Sequence, residues 1–216
     1  KVARPEAVRA AAFGCLAVGL VAGLALVLLT RHWWLLAVGV VCVLAAWFYT
    51  GGERPYGYRG LGEVAVFIFF GPVAVLGTYY VQGGPPGALV LLTSVGVGLL
   101  SCSVLVANNL RDIPSDREVG KLTLAVRLGD TRTRRLYATL LAVPFLISLG
   151  IAVVTPAMLL GLLAAPLAVS PVRRVLGGVG GRDLIPVLGA TGLIMLVWSL
   201  GSAIGLAVGL ALAGPG

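Results

Sequence analysis

Apolar residues in this chain run in long blocks. They do not follow the two-residue alternation of a half-buried strand or the one-sided spacing of a surface helix. A block of about 20 apolar residues is what a helix needs to cross a bilayer while bonding its own N–H and C=O groups. The blocks predict seven spans, at 9–30, 33–50, 63–82, 87–110, 135–154, 157–172 and 184–212. The expected fold class is therefore all-α: a polytopic transmembrane helical bundle forming a single domain over 1–216. The sixth span is the shortest, and a tight turn at Thr155-Pro156 joins it to the fifth. Gly201, Gly205 and Gly209 recur every four residues, as do Gly19 and Gly23, and predict faces where helix backbones approach closely in lipid.

Composition agrees with this pattern. The 216 residues are 59% hydrophobic and 11% charged, against about 25% charged in an average soluble domain. A membrane β-barrel needs alternating polar and apolar residues, which these blocks lack. The net charge of +8 raises nucleic acid as a partner, but its distribution points to membrane lipid and to no nucleic acid. Of the sixteen Lys and Arg, only Arg31 falls on one side of the predicted topology; all others, with every Asp and Glu, fall on the opposite side. The positive-inside rule makes that side cytoplasmic. The location expected is a cell membrane, crossed many times, with any chemistry on the cytoplasmic face. Cys15, Cys42 and Cys102 lie scattered in apolar blocks without metal-ligand spacing and read as packing residues. His32, between Arg31 and Trp33-Trp34, reads as an interfacial turn.

One polar cassette interrupts the pattern: NNLRDIPSDREVGKLTLAVRLGD at 108–130, within a cytoplasmic loop taken as 108–135. Asn108, Asp112 and Asp116 are spaced i, i+4, i+8. They share one face if the fourth helix continues past Pro114, which removes a backbone donor and can end a helix. Two close carboxylates repel unless a cation bridges them, and Mg²⁺ commonly takes one or two carboxylates while leaving other positions to water and phosphate. Arg111, Arg117, Lys121 and Arg127 surround the pair and suit a polyanion such as a diphosphate. A solvated cytoplasmic loop explains the arginines alone; it does not explain carboxylates beside Asn108-Asn109 at the end of an apolar helix. Gly120-Lys121 lacks the rest of a P-loop pattern. A second loop, ERPYGYRGLGE at 53–63, faces the same compartment, and its Tyr56, Tyr58 and Arg59 are either contacts for an aromatic or anionic substrate or interfacial anchors. Asp183 opens the last span as an ordinary helix cap.

The string N-N-L-R-D-I-x-S-D-R-x-x-G-K-x-T-L-A-V-R-L-G closely resembles the second aspartate-rich motif of the UbiA-type intramembrane prenyltransferases. PYGYRGLGE at 55–63 and LIPVL at 184–188 resemble the branch of that family acting on 1,4-dihydroxy-2-naphthoate in menaquinone biosynthesis. The resemblance implies a nine-helix fold with one aspartate-rich motif after the second helix and another after the sixth. The seven spans then correspond to helices three to nine, so the first motif is absent and the chain is expected to be N-terminally incomplete. KVARPEAVR reads as the tail of a loop entering a helix, not as a signal peptide. The implied reaction joins a polyprenyl diphosphate to 1,4-dihydroxy-2-naphthoate with loss of CO₂ and pyrophosphate, giving demethylmenaquinone. The resemblance casts Asp112, Asp116 and Asn108 as Mg²⁺ ligands, and Asp112, Asp116 and Lys121 as catalytic. Arg111, Arg117, Lys121 and Arg127 would bind diphosphate, and Tyr56, Tyr58, Arg59 and Asn109 the aromatic acceptor. The alternatives are a family member with another aromatic acceptor, or a non-catalytic membrane protein that keeps the fold.

Overall fold

The computed structural model describes residues 4–213, all of whose regular elements are helical. Lys1, counted above with the cytoplasmic charges, lies outside the described residues. The chain divides into two compact units, Lys1–Phe48 and Tyr49–Gly216. Six helices are long and apolar enough to cross a membrane. The second expected span, 33–50, is a shorter apolar helix of 16 residues, Leu35–Thr50.

The first unit holds α1 (Pro5–Thr30) and most of α2 (Leu35–Thr50). Pro5 starts α1 at its first position, where its missing N–H is no loss. Arg31 closes the helix in the left-handed conformation, its N–H bonded to the Val27 carbonyl at 2.8 Å. Phe13, early in α1, meets Trp47, late in α2, with ring centroids 6.4 Å apart. A side chain built at Gly19 or Gly23 would meet no atom of this unit within 4 Å, so that glycine pair does not pack here.

The second unit carries α3 (Gly62–Gly83), α4 (Ala88–Glu118), the short α5 (Leu124–Leu128), α6 (Asp130–Ala152), α7 (Pro156–Leu176) and α8 (Gly181–Leu212). Of the membrane-length helices, α4 is the most buried. Leu100, Val106 and Leu110 on α4 join Tyr137 and Leu141 on α6 and Ile194 and Trp198 on α8 in one core. Buried polar atoms in it are paired across helices. The Trp198 indole donates to Ser148 Oγ at 3.0 Å, and the Tyr137 hydroxyl bonds Thr191 at 2.8 Å. The second glycine stripe behaves as expected. A methyl group at Gly201 would come within 2.5 Å of the Leu160 carbonyl, and one at Gly205 within 2.6 Å of that of Ala157. This close approach fits α8 against the first half of α7, which is wound tightly as a 3₁₀ helix over Pro156–Ala164.

Two boundaries differ from the sequence expectation. The fourth helix runs past Leu110 and through Pro114 to Glu118. Its apolar block ends at Leu110, but Ile113 and Asp116 keep one face buried, while Pro114 and Ser115 are exposed. The fifth span begins at Asp130, five residues before its apolar block, because its first turns are polar yet anchored.

Candidate active site

Continuation of α4 through Pro114 meets the condition for Asn108, Asp112 and Asp116 to share a face. Asn108 donates to Asp112 Oδ2 at 3.3 Å, one turn on. Arg111 grips the same carboxylate with two bonds, of 2.7 and 2.8 Å. After Glu118 the chain reverses at Gly120, whose φ of 72° is easy only for glycine. The reversal returns Lys121 to the helix it has just left: its N–H meets the Asp116 carbonyl at 2.8 Å, and its ammonium lies 3.1 Å from Asp116 Oδ1. Asp116 is only 7% exposed, and its other oxygen, Oδ2, is buried without a partner.

The loop at 53–63 packs on this turn. Leu122 N–H donates to the Tyr58 carbonyl at 2.9 Å, and the Lys121 ammonium sits 5.3 Å from the centre of the Tyr58 ring. Gly60, at φ 81°, lets the Arg127 side chain lie against the loop backbone; a methyl group there would be 2.9 Å from Arg127 Nε. Arg127 Nε in turn donates to the Leu122 carbonyl at 3.1 Å. Two segments more than 50 residues apart thus form one polar surface holding Tyr58, Asp116, Lys121 and Arg127. Tyr56 stands edge-on to Tyr49 at 5.5 Å, where burial pushes its phenol above the ordinary value. Arg59 and Arg117 are exposed and have no side-chain partner.

Three residues with buried polar contacts escape sequence reasoning. Glu63, counted there only among the acids beside a loop, is 7% exposed and accepts from Asn109 Nδ2 at 2.9 Å. Its other oxygen, Oε2, is buried and unpartnered. The signal was available: a carboxylate opening an apolar span, at membrane depth, is unusual. Tyr49, at the end of α2, packs its hydroxyl against Gly62, and nothing in its local sequence marks it. Arg134, counted among the loop cations, is buried and bonds Asp130 and the carbonyls of Val175 and Val179.

The donor set suits a hard cation. No three His, Cys, Asp or Glu converge among the described residues, so the chain offers two carboxylates and an amide oxygen, within the habit of Mg²⁺. Asp112 is already neutralised by Arg111, whereas Asp116 Oδ2 is an anionic acceptor waiting for a partner. Positive charge beside it, with further cations at Arg117 and Arg127, suits a ligand that carries both metal and phosphate.

Residues 2–179 match the model of the UbiA prenyltransferase family. The chain belongs to this family. Among UbiA relatives, it is 56% identical over 209 residues to the 1,4-dihydroxy-2-naphthoate octaprenyltransferase of Mycobacterium tuberculosis, covering 97% of this chain and 71% of that protein. The enzyme of the same name from Mycobacterium leprae is 51% identical over 94% of this chain and 69% of its own length. The one from Escherichia coli is 43% identical over 70% of this chain and 49% of its own. The helical bundle and its membrane-length spans agree with this membership, and the protein is a multi-pass membrane protein of a prenyl-transferring family.

Proposed function

We propose that this UbiA-family protein transfers a polyprenyl group from polyprenyl diphosphate to 1,4-dihydroxy-2-naphthoate, releasing CO₂ and pyrophosphate and giving demethylmenaquinone. The observation that carries the reading is the 56% identity, over 97% of the chain, to a relative named for that acceptor. Asp116, Asp112 and Asn108 hold Mg²⁺, with the unpartnered Asp116 Oδ2 as the strongest donor. Bound there, Mg²⁺ would supply Lewis-acid and template chemistry toward the diphosphate.

The other residues do the rest. Lys121, held 3.1 Å from Asp116, neutralises the charge that grows on departing pyrophosphate, helped by Arg111, Arg117 and Arg127. Tyr56, Tyr58, Arg59 and Asn109 bind the acceptor ring and its carboxylate. The apolar bundle keeps water from the allylic cation until the electron-rich ring attacks it. The site opens to the cytoplasmic side of the cell membrane, a reading supported by the basic residues that collect on that face. Residues 1–216 act as one prenyltransferase domain, with 108–135 as its aspartate-rich segment.

Membranes carrying the full-length protein test this. Polyprenyl diphosphate is supplied with 1,4-dihydroxy-2-naphthoate, 4-hydroxybenzoate or homogentisate, and products are read by mass. The expected product forms with the naphthoate, disappears with EDTA and returns with Mg²⁺. Product from 4-hydroxybenzoate but not from the naphthoate overturns the assignment.

A further inference from the structure

We infer that Glu63 accepts a hydrogen bond from the ring hydroxyl of the aromatic acceptor and thereby fixes which ring carbon faces the prenyl donor. The inference rests on the reaction proposed above and names a residue outside the aspartate-rich motif.

Glu63 stands at the first turn of α3, 7% exposed. Oε1 is satisfied by Asn109 Nδ2 at 2.9 Å, and Oε2 is buried with no partner. No Lys or Arg lies within ion-pair distance of it among the described residues. A buried carboxylate oxygen without a donor is costly, and native structures rarely keep one unless something else supplies the partner. Only Glu63 Oε2 and Asp116 Oδ2 are carboxylate oxygens in that condition among the described residues. Both belong to one side of α4, because Asn109 and Asp116 are seven residues apart on its buried face. Seven residues rise about 10 Å along a helix, the scale of a diphosphate and an aromatic ring laid end to end.

The two orphans call for different partners. Asp116 already has the Lys121 ammonium beside it, so its end suits metal and phosphate. Glu63 has an amide N–H beside it instead. Asn109 turns its NH₂ group toward the carboxylate and fills one oxygen. The other oxygen can accept from a neutral O–H donor without bringing a second charge into the buried site. An aromatic hydroxyl bonded to a carboxylate also feeds electron density to the neighbouring ring carbon, which is the atom that must attack.

The test compares wild type and Glu63→Gln, full length in membranes, with each substrate titrated separately. Glutamine keeps the size but turns a donor toward the hydroxyl once its oxygen has paired with Asn109. We expect kcat/KM for the naphthoate to fall about 30- to 100-fold, chiefly through KM, in line with the loss of a charge-assisted hydrogen bond. KM for polyprenyl diphosphate and the Mg²⁺ activation curve should move less than about twofold, a split that a general loss of folding does not produce. An acceptor whose ring hydroxyls are methylated, given to unaltered protein, should lose a similar factor without any mutation. Unchanged acceptor KM in Glu63→Gln overturns the inference. A raised Mg²⁺ requirement with acceptor KM intact overturns it too, and makes Glu63 a metal ligand. If wild type prenylates 4-hydroxybenzoate instead, the naphthoate reading falls, and the same comparison runs on that phenol's hydroxyl.

Discussion

The segment 108–135 contains two buried charges that ended in opposite conditions. Arg134 is a closed circuit. Its guanidinium bonds both oxygens of Asp130 at 2.6 and 2.7 Å and the carbonyls of Val175 and Val179 at 2.6 and 2.9 Å. Val175 lies in the last turn of α7 and Val179 in the segment just after it. Arg134 therefore ties α6 to the end of α7 and spends four of its five N–H groups within the chain. Asp116 is an open one. Lys121 satisfies one oxygen, and the other is buried and bare. Burial and charge are alike in both places; what separates structural from functional use is whether the hydrogen-bonding account closes.

Four substitutions press on that difference, in falling order of effect. Asp116→Asn should cut kcat/KM about 1,000-fold, about 4 kcal/mol of transition-state stabilisation. Thermal unfolding in detergent should barely move, because the lost charge had no closed set of partners. An active variant would break the comparison at its functional end. Arg134→Met should do the reverse. The Val175 and Val179 carbonyls lose a charged donor, costing about 2–4 kcal/mol of stability, while Asp130, more than half exposed, adds little because water screens it. Protein that survives should keep both KM values, and a shifted KM would move Arg134 into the site.

Lys121→Met sharpens the open end. The lost ammonium leaves Asp116 Oδ1 without its partner and removes charge facing the pyrophosphate. A fall in kcat of about 10- to 100-fold is expected, with product formation under saturating substrate as the readout. The smallest effect belongs to Arg117→Gln. The residue is exposed and unpaired, so KM for the diphosphate should rise about threefold at low salt and less at high salt, as screening predicts.

Much of this molecule was legible without coordinates, and particular residues show why. The apolar blocks marked the membrane helices because lipid gives a spanning backbone no other choice. Gly201 and Gly205 announced their close packing through spacing alone, and α8 uses it against α7. Gly19 and Gly23 carry the same spacing and pack against nothing in their own unit: a small-residue stripe says where a backbone can approach, not whether one does. Pro114 left the end of α4 open in the sequence. Helix or loop there depended on whether Ile113 and Asp116 had a buried surface to face, and only the tertiary structure supplies one.

The sequence by itself determined the class, the family and the chemical character of the site. Hydropathy, charge sign and the spacing of Asn108, Asp112 and Asp116 are local properties, and local properties survive in a string. Tertiary structure alone decided which polar groups meet and which are left over. Glu63 and Asn109 lie 46 residues apart, and Arg134 and Val179 lie 45 apart, yet each pair is in hydrogen-bond contact. A string cannot show that Arg134 spends four of its five N–H groups within the chain while Glu63 and Asp116 each keep one oxygen free. An unpaired valence is a property of the whole packed surroundings, not of the residue that carries it.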